Sequence, residues 1–171
     1  MLDAGVVTRE SKVELLAGVI TEKMGTGSIH DFVVRQLYRL LAARLPEDCE
    51  VGARSPVRLR PDSRPEPDLW VSKAGTGPHR DETIGATDLA LVIEVADSSL
   101  ARDREVKLPI YSAAGVPEYW IVDVQAERVE VMTGPGLRDE RDVYARVATY
   151  GIGDAFEHAL VGRVEVARVF A

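Results

Sequence analysis

The stretch Asp88-Leu89-Ala90-Leu91-Val92-Ile93-Glu94-Val95 decides how this chain is read. From Leu89 to Val95 it is almost continuously apolar and rich in β-branched residues, the pattern of a strand covered on both faces. Glu94 interrupts that run. An ionised carboxylate in such a place costs on the order of several kcal/mol unless a cation pairs with it. Upstream, Pro67-Asp68-Leu69-Trp70-Val71 sets a second acid at the head of another apolar segment. Phosphodiester hydrolysis needs a hard cation to neutralise charge on phosphate oxygens and to activate water. Mg²⁺ is held by a few carboxylates plus waters, so two acids from adjacent strands suffice. Asp68 and Glu94 are the expected ligands, with the Val95 carbonyl as a third and Mn²⁺ as a possible substitute for Mg²⁺.

Lys107 is the expected amine of this site. Glu105-Val106-Lys107 would place acid and lysine on one face of a strand, but the segment reads as a helix, where residues two apart diverge by about 200°. Asp103, Lys107 and Tyr111 instead share a helical face, so Lys107 is paired with Glu94, and Glu105 is left to solvent. A lysine beside the attacking water can orient it, assist its deprotonation or stabilise transition-state charge. Ser98 and Ser99 read as a helix cap rather than as nucleophiles.

The remaining elements arrange themselves around this pair. Residues 13–24 read as a β-hairpin pivoting near Gly18. Ser28 caps a helix running to about Leu45, with Phe32, Leu37, Leu40, Leu41 and Leu45 at helical intervals. Short strands follow at 50–53 and 56–60, the second alternating Val57 and Leu59 with Arg58 and Arg60. A proline-rich connector leads to a strand at 68–72, and a glycine-rich loop spans 74–87. After the Glu94 strand comes a helix at 100–114, bent at Pro109 and ended by Gly115. Strands are expected at 119–123, 128–132 and 143–150, the last two separated by the turn Gly134-Pro135-Gly136. Residues 164–170 are expected to close the sheet. The order is that of one α/β domain over residues 1–171 with a mixed central sheet, in which the unit from Leu89 to Asp123 forms a parallel crossover. Asp123 is expected to cap the turn before Glu127, and Tyr119 and Trp120 to belong to the core or a dimer contact.

Composition narrows the class. The chain has 171 residues, 46% hydrophobic and 29% charged, within the range of ordinary globular domains. It offers no apolar run near the ~18 residues needed to cross a bilayer, and its first ten residues lack a signal-peptide pattern. The single cysteine, Cys49, excludes an internal disulfide. These features predict a cytoplasmic protein with no membrane partner. A net charge of −7 opposes non-specific grip on nucleic acid. Arginines nevertheless cluster at Arg54, Arg58, Arg60 and Arg64, and Arg35 and Arg39 share a helical face. Either set is a solvated surface or a phosphate-facing strip.

Taken together, several segments resemble the Uma2 family of endonucleases, a bacterial branch of the PD-(D/E)XK nuclease superfamily. They are Val13-Glu-Leu-Leu-Ala-Gly, the isolated His30, Pro65-Glu-Pro-Asp-Leu, Val92-Ile-Glu-Val-Ala-Asp-Ser-Ser-Leu, Asp103-Arg-Glu-Val-Lys-Leu-Pro-Ile-Tyr and Ala114-Gly-Val-Pro-Glu-Tyr-Trp-Ile-Val-Asp. The resemblance covers about residues 13–131. It implies a restriction-endonuclease-like mixed sheet flanked by helices, with an N-terminal β-hairpin, and a Mg²⁺-dependent endonuclease acting on DNA. It further implies Asp68 and Glu94 as the motif acids, Glu14 as an N-terminal acid joining the catalytic group, and His30 on the substrate side. From the arginine clusters, Arg35 and Arg58 are expected to contact DNA. The lysine of the family pattern, two beyond the second acid, is replaced here by Ala96, which again selects Lys107. Ala17 and Val19 stand where similar sequences often carry acids. The competing expectations are a catalytically weak or inactive module that binds nucleic acid, or a homodimeric interaction protein with structural acids. Paired copies would also suit cleavage of both DNA strands.

Overall fold

A computed structural model describes residues 13–23, 25–59, 62–77 and 83–171. The readings of the first ten residues, of Arg60 and of the loop around His79 fall outside those ranges. The described elements are β1 (Val13–Leu16), β2 (Val19–Glu22), α1 (Ser28–Ala42), β3 (Val51–Ala53), β4 (Leu69–Ser72) and β5 (Leu89–Ala96). Then follow α2 (Leu100–Arg102), a π-helical turn (Asp103–Lys107), α3 (Leu108–Ala113), β6 (Glu118–Asp123), β7 (Arg128–Arg138), β8 (Arg141–Gly151), β9 (Ala155–His158), β10 (Gly162–Glu165) and α4 (Ala167–Phe170).

Among the described residues, six strands form the central sheet in the order β3-β4-β5-β6-β7-β8. Only β5 and β6 run parallel, as the predicted crossover requires; the other pairs are antiparallel. The Glu94 strand is covered on both faces. Leu91, Ile93 and Val95 pack with Val33, Val34, Leu37 and Leu41 of α1 and with Val164, Val166 and Val169. On the opposite face Val92 and Ala96 pack with Ile110 and Tyr111 of α3 and with Tyr119 and Ile121. The sheet is therefore the middle of three layers, which is why its central strands read as unbroken apolar runs. Tyr119 and Trp120 are fully buried, as core residues.

The hairpin forms as expected. Ala17 and Gly18 both have positive φ, 47° and 81°, the two-residue turn whose twist matches paired strands. At the sheet edge Gly52 lies opposite Trp70, and a Cβ there would come within 2.1 Å of the indole. That close approach lets Trp70 cover β3 and donate to Ser55 Oγ at 2.8 Å.

Several expectations need correction. Gly27, not Ser28, stands at the N-cap of α1, and Phe32 is 38% exposed, while Val33 and Val34 take the buried face. Residues 56–59 keep the predicted alternation, with Val57 and Leu59 buried, but form no strand. Arg58 makes only an isolated bridge to Gly85, because the segment is tied to loops on both sides. Gly134-Pro135-Gly136 is not a turn. It lies within β7, beyond the last β6 pair at Thr133, where the missing proline N–H interrupts no third strand. The reversal comes at Asp139 and Glu140, both at positive φ. Residues 164–170 do not join the central sheet. β10 pairs with β9 in a separate hairpin, and the apolar spacing then lengthens from Val164–Val166 to Val166–Val169, closing in the short helix α4.

Candidate active site

Asp68 and Glu94 are brought together by strand register. Leu69 pairs with Ile93, so one step further along the same antiparallel register sets Asp68 across from Glu94, where opposed side chains share a face. Glu94 is 4% exposed and sits on the α3 side of β5. Its Oε1 accepts hydrogen bonds from Lys107 Nζ at 2.8 Å and from the Tyr111 hydroxyl at 2.7 Å. Both bonds use one oxygen, which leaves Oε2 for the cavity that Glu94 lines.

The helix after β5 delivers that amine by an unusual route. Pro109 has no N–H to return to Glu105, and the chain widens into a π turn in which the Leu108 N–H reaches the Asp103 carbonyl. The expected bend at Pro109 thus takes the form of a widened turn preceding it. Asp103, Lys107 and Tyr111 still face inward and are buried, while Glu105 is exposed, as the spacing predicted. Lys107 Nζ also lies 3.3 Å from Glu14 Oε1. Glu14, buried in β1, accepts a second bond from the Glu66 N–H at 2.7 Å, which ties the hairpin to the connector before Asp68.

Asp68 is held from two sides. Its Oδ2 accepts the Val95 N–H at 2.9 Å, and its carboxylate lies 3.1 Å from His30 Nε2. His30 Nδ1 is 3.3 Å from Asp31, which in turn pairs with Arg54. His30, expected on the substrate side, lines the same cavity, with its buried ring between the carboxylates of Asp31 and Asp68. The Val95 carbonyl shares the strand edge of its own N–H. Ala96 accepts from Val124 on the β6 side at 3.0 Å, so the alternating backbone turns Val95 toward β4 and Asp68.

Electrostatics follow from this packing. Burial pushes the Glu94 carboxyl well above its usual range, opposed by the charge of Lys107. Burial also raises Asp103, whose Oδ2 accepts the Ser99 hydroxyl at 2.6 Å. Ser99 stands at the N-cap of α2 as expected, but its hydroxyl braces Asp103 instead of capping a backbone N–H. For Lys107 burial acts downward, but the carboxylates of Glu94, Glu14 and Asp103 outweigh it and the net shift is upward. For His30 burial also acts downward, and the hydrogen bond and charge of Asp68 overcome it.

These side chains line an open cavity of about 270 Å³. Its walls carry six acids, Glu14, Glu66, Asp68, Glu94, Asp97 and Asp103, against four permanent cations, Lys23, Arg54, Arg102 and Lys107. Acidic groups thus outnumber permanent cations by two, an arrangement that a bound divalent cation would favour. Among the described residues no three His, Cys, Asp or Glu side chains are grouped to hold an ion by themselves. Two carboxylates and a carbonyl, with other positions left to water and phosphate oxygens, are a donor set that fits Mg²⁺ or Mn²⁺ rather than a closed protein cage.

Arg35 and Arg58 do not line this cavity; both are exposed elsewhere, and the Arg35 guanidinium lies 6.0 Å from the Phe32 ring centre. Arg102 and Lys23, which sequence reasoning missed, do line it, and Arg54 from the arginine cluster joins them. Arg102 sits one residue before Asp103, about 100° around the helix from it, so the inward face marked by Asp103 and Lys107 gave no signal for it. Nothing in the sequence marked Lys23. Asp123 fulfils its turn-capping expectation, accepting the Ala126 N–H at 3.1 Å and pairing with Arg128 at 2.9 Å.

A crystal structure described as a putative nuclease belonging to DUF820 from Anabaena variabilis ATCC 29413 superposes on this chain with a TM-score of 0.78. The match covers 98% of this chain and 94% of that one at 13% identity, so it speaks to the fold. Comparison with curated proteins gives no significant match. The family model Uma2, described as "Putative restriction endonuclease", matches residues 2–161. With that match spanning most of its length, the chain belongs to the Uma2 family.

Proposed function

We propose that this protein is a Mg²⁺-dependent endonuclease that hydrolyses phosphodiester bonds of DNA, with Mn²⁺ able to replace Mg²⁺. The observation that carries the reading is the convergence of Asp68 and Glu94 across one strand pair, with the Lys107 amine 2.8 Å from Glu94. Asp68, Glu94 and the Val95 carbonyl would hold the cation. When bound, the cation supplies charge neutralisation at phosphate oxygens and a more acidic water. His30 and the Val95 N–H fix the Asp68 carboxylate, and Tyr111 fixes Glu94. Lys107, flanked by Glu94 and Glu14, stays an ammonium. Its role is then to donate a hydrogen bond and offset charge developing on the phosphate, rather than to accept a proton. Glu14 keeps that amine aimed at the cavity.

A purely structural role for the cluster is disfavoured by its energetics. Burying ion pairs is often neutral or worse compared with apolar packing of the same volume. A fold needing only stability has little use for Glu14, Glu94, Asp103 and Lys107 at 1–5% exposure in one place. A homodimer would present one such cavity to each strand of a duplex. Among the described residues no helix is long and apolar enough to cross a membrane.

The test is incubation of the purified protein with plasmid and single-stranded DNA across Mg²⁺ and Mn²⁺ concentrations. Metal-dependent strand scission that disappears in Glu94→Gln is expected. Cleavage unchanged in that variant would refute the assignment.

A further inference from the structure

Three of the four permanent cations that line the cavity are matched by carboxylates. Lys107 meets Glu94 and Glu14, Arg54 meets Asp31, and Lys23 meets Glu66. Arg102 is the exception: it forms no ion pair among the described residues. Nor does its charge chiefly serve the buried acids, since Lys107 is the cation that acts most on Glu94 and on Asp103.

What holds Arg102 is a backbone carbonyl. Its Nη1 and Nη2 both donate to the Glu22 carbonyl at 2.9 Å, across 80 residues of sequence. Glu22 ends β2, and Arg102 ends α2, one residue before the buried Asp103. A step of about 100° around the helix turns Arg102 to the hairpin while Asp103 turns inward. The guanidinium is thereby fixed, half-buried, in the wall of the cavity that Asp68 and Glu94 also line. A guanidinium carries five N–H groups in a rigid fork. The carbonyl takes one from each terminal nitrogen, so Nε–H and the neighbouring outer N–H remain together on one edge. That edge matches two oxygens of a phosphate. A neutral carbonyl also positions the group without cancelling its charge, and a strap that only tied helix to hairpin would need no charge at all.

We infer that Arg102 binds a phosphate of the substrate strand inside the cavity through its Nε edge, while the Glu22 carbonyl holds it in position. This rests on the nuclease reading and deepens it, because a contact to phosphate grips the strand without regard to base.

The experiment measures binding of fluorescein-labelled single-stranded 12-mers of several sequences, in EDTA and in Ca²⁺, for wild type, Arg102→Gln and Arg102→Lys. Melting temperature is the folding control. Arg102→Gln should lose affinity at least tenfold, alike for every sequence. In EDTA its slope of log affinity against log salt should be shallower by about 0.7, the loss of one phosphate contact on a single strand. Arg102→Lys should keep the slope and lose less affinity, since it retains the charge but not the fork. If Arg102→Gln melts too early to assay, Arg102→Lys carries the comparison through its affinity loss at unchanged slope. A folded Arg102→Gln with unchanged affinity would overturn the inference. So would weaker binding at an unchanged slope in Arg102→Gln, the mark of a purely structural strap, and so would the absence of binding by wild type in both buffers. Binding through Arg102 with no cleavage in any metal would sink the nuclease reading alone. Metal-dependent cleavage with binding indifferent to Arg102 would sink this inference alone.

Discussion

Replacing Lys107 with methionine removes the charge while keeping most of the stem. In the wild type the amine lies 2.8 Å from Glu94 and 3.3 Å from Glu14, and its field also acts on Asp103. Without it, three buried carboxyl groups face one another uncompensated. Removing one partner of a buried pair typically costs about 3–5 kcal/mol. For a chain of this length that corresponds to roughly 6–20 °C in melting temperature. The cost should depend on pH. Burial already holds the Glu94 carboxyl above its usual range, and loss of Lys107 pushes it further up. A group whose folded pKa is raised contributes its stability below the unfolded value and loses it as pH rises through the folded one. The deficit of Lys107→Met should therefore be largest at pH 8 and shrink toward pH 5. Urea denaturation across that range measures it, and Lys107→Met/Glu94→Gln should recover part of the loss. A deficit under about 1 kcal/mol at pH 8, or a double variant no better than the single one, would refute the picture of Lys107 as the counter-charge of the cluster.

Two further outcomes follow from named contacts. Tyr111→Phe deletes a 2.7 Å hydrogen bond to Glu94 Oε1 and should cost about 1.5–3 kcal/mol in urea denaturation, with metal-dependent cleavage falling in parallel; unchanged stability would mean the hydroxyl does not anchor Glu94. His158, outside the cavity, is buried against the edge of Trp120, and burial lowers its pKa. Glu118 is its nearest carboxylate at 3.6 Å, too long for a good hydrogen bond. The neutral ring is thus the folded form, and its stability contribution is full above the unfolded value of 6.5 and lost as pH falls. Relative to His158→Asn, which keeps an acceptor for the Leu160 N–H, wild type should lose stability between pH 7 and 5; parallel pH curves would contradict this.

The sequence was most legible where burial leaves a one-dimensional trace. Leu89–Ala96 and Glu118–Asp123 showed as apolar runs because both faces of the central sheet are covered. Glu94 and Lys107 stood out because a charge in such a run, or on an inward helical face, needs a partner. Contacts between distant segments left less trace. The pairing of Leu69 with Ile93 that sets Asp68 opposite Glu94 is a matter of register, and the brace of His30 on Asp68 spans 38 residues of sequence. The Gly134-Pro135-Gly136 segment misled for a local reason: its residue types favour turns, but pairing with β8 overrides them. Arg35 and Arg58 were chosen by charge, and neither lines the cavity. Val164–Phe170 changed from strand to helix midway, and each half is too short to show a period.

The central claim is that Asp68 and Glu94 share one hard cation. Mn²⁺ binding, followed by electron paramagnetic resonance of the free ion, tests it without requiring turnover. The account predicts a site in wild type that weakens at least tenfold in both Asp68→Asn and Glu94→Gln while the fold is retained. Affinity unchanged by either amide in a folded protein would contradict it.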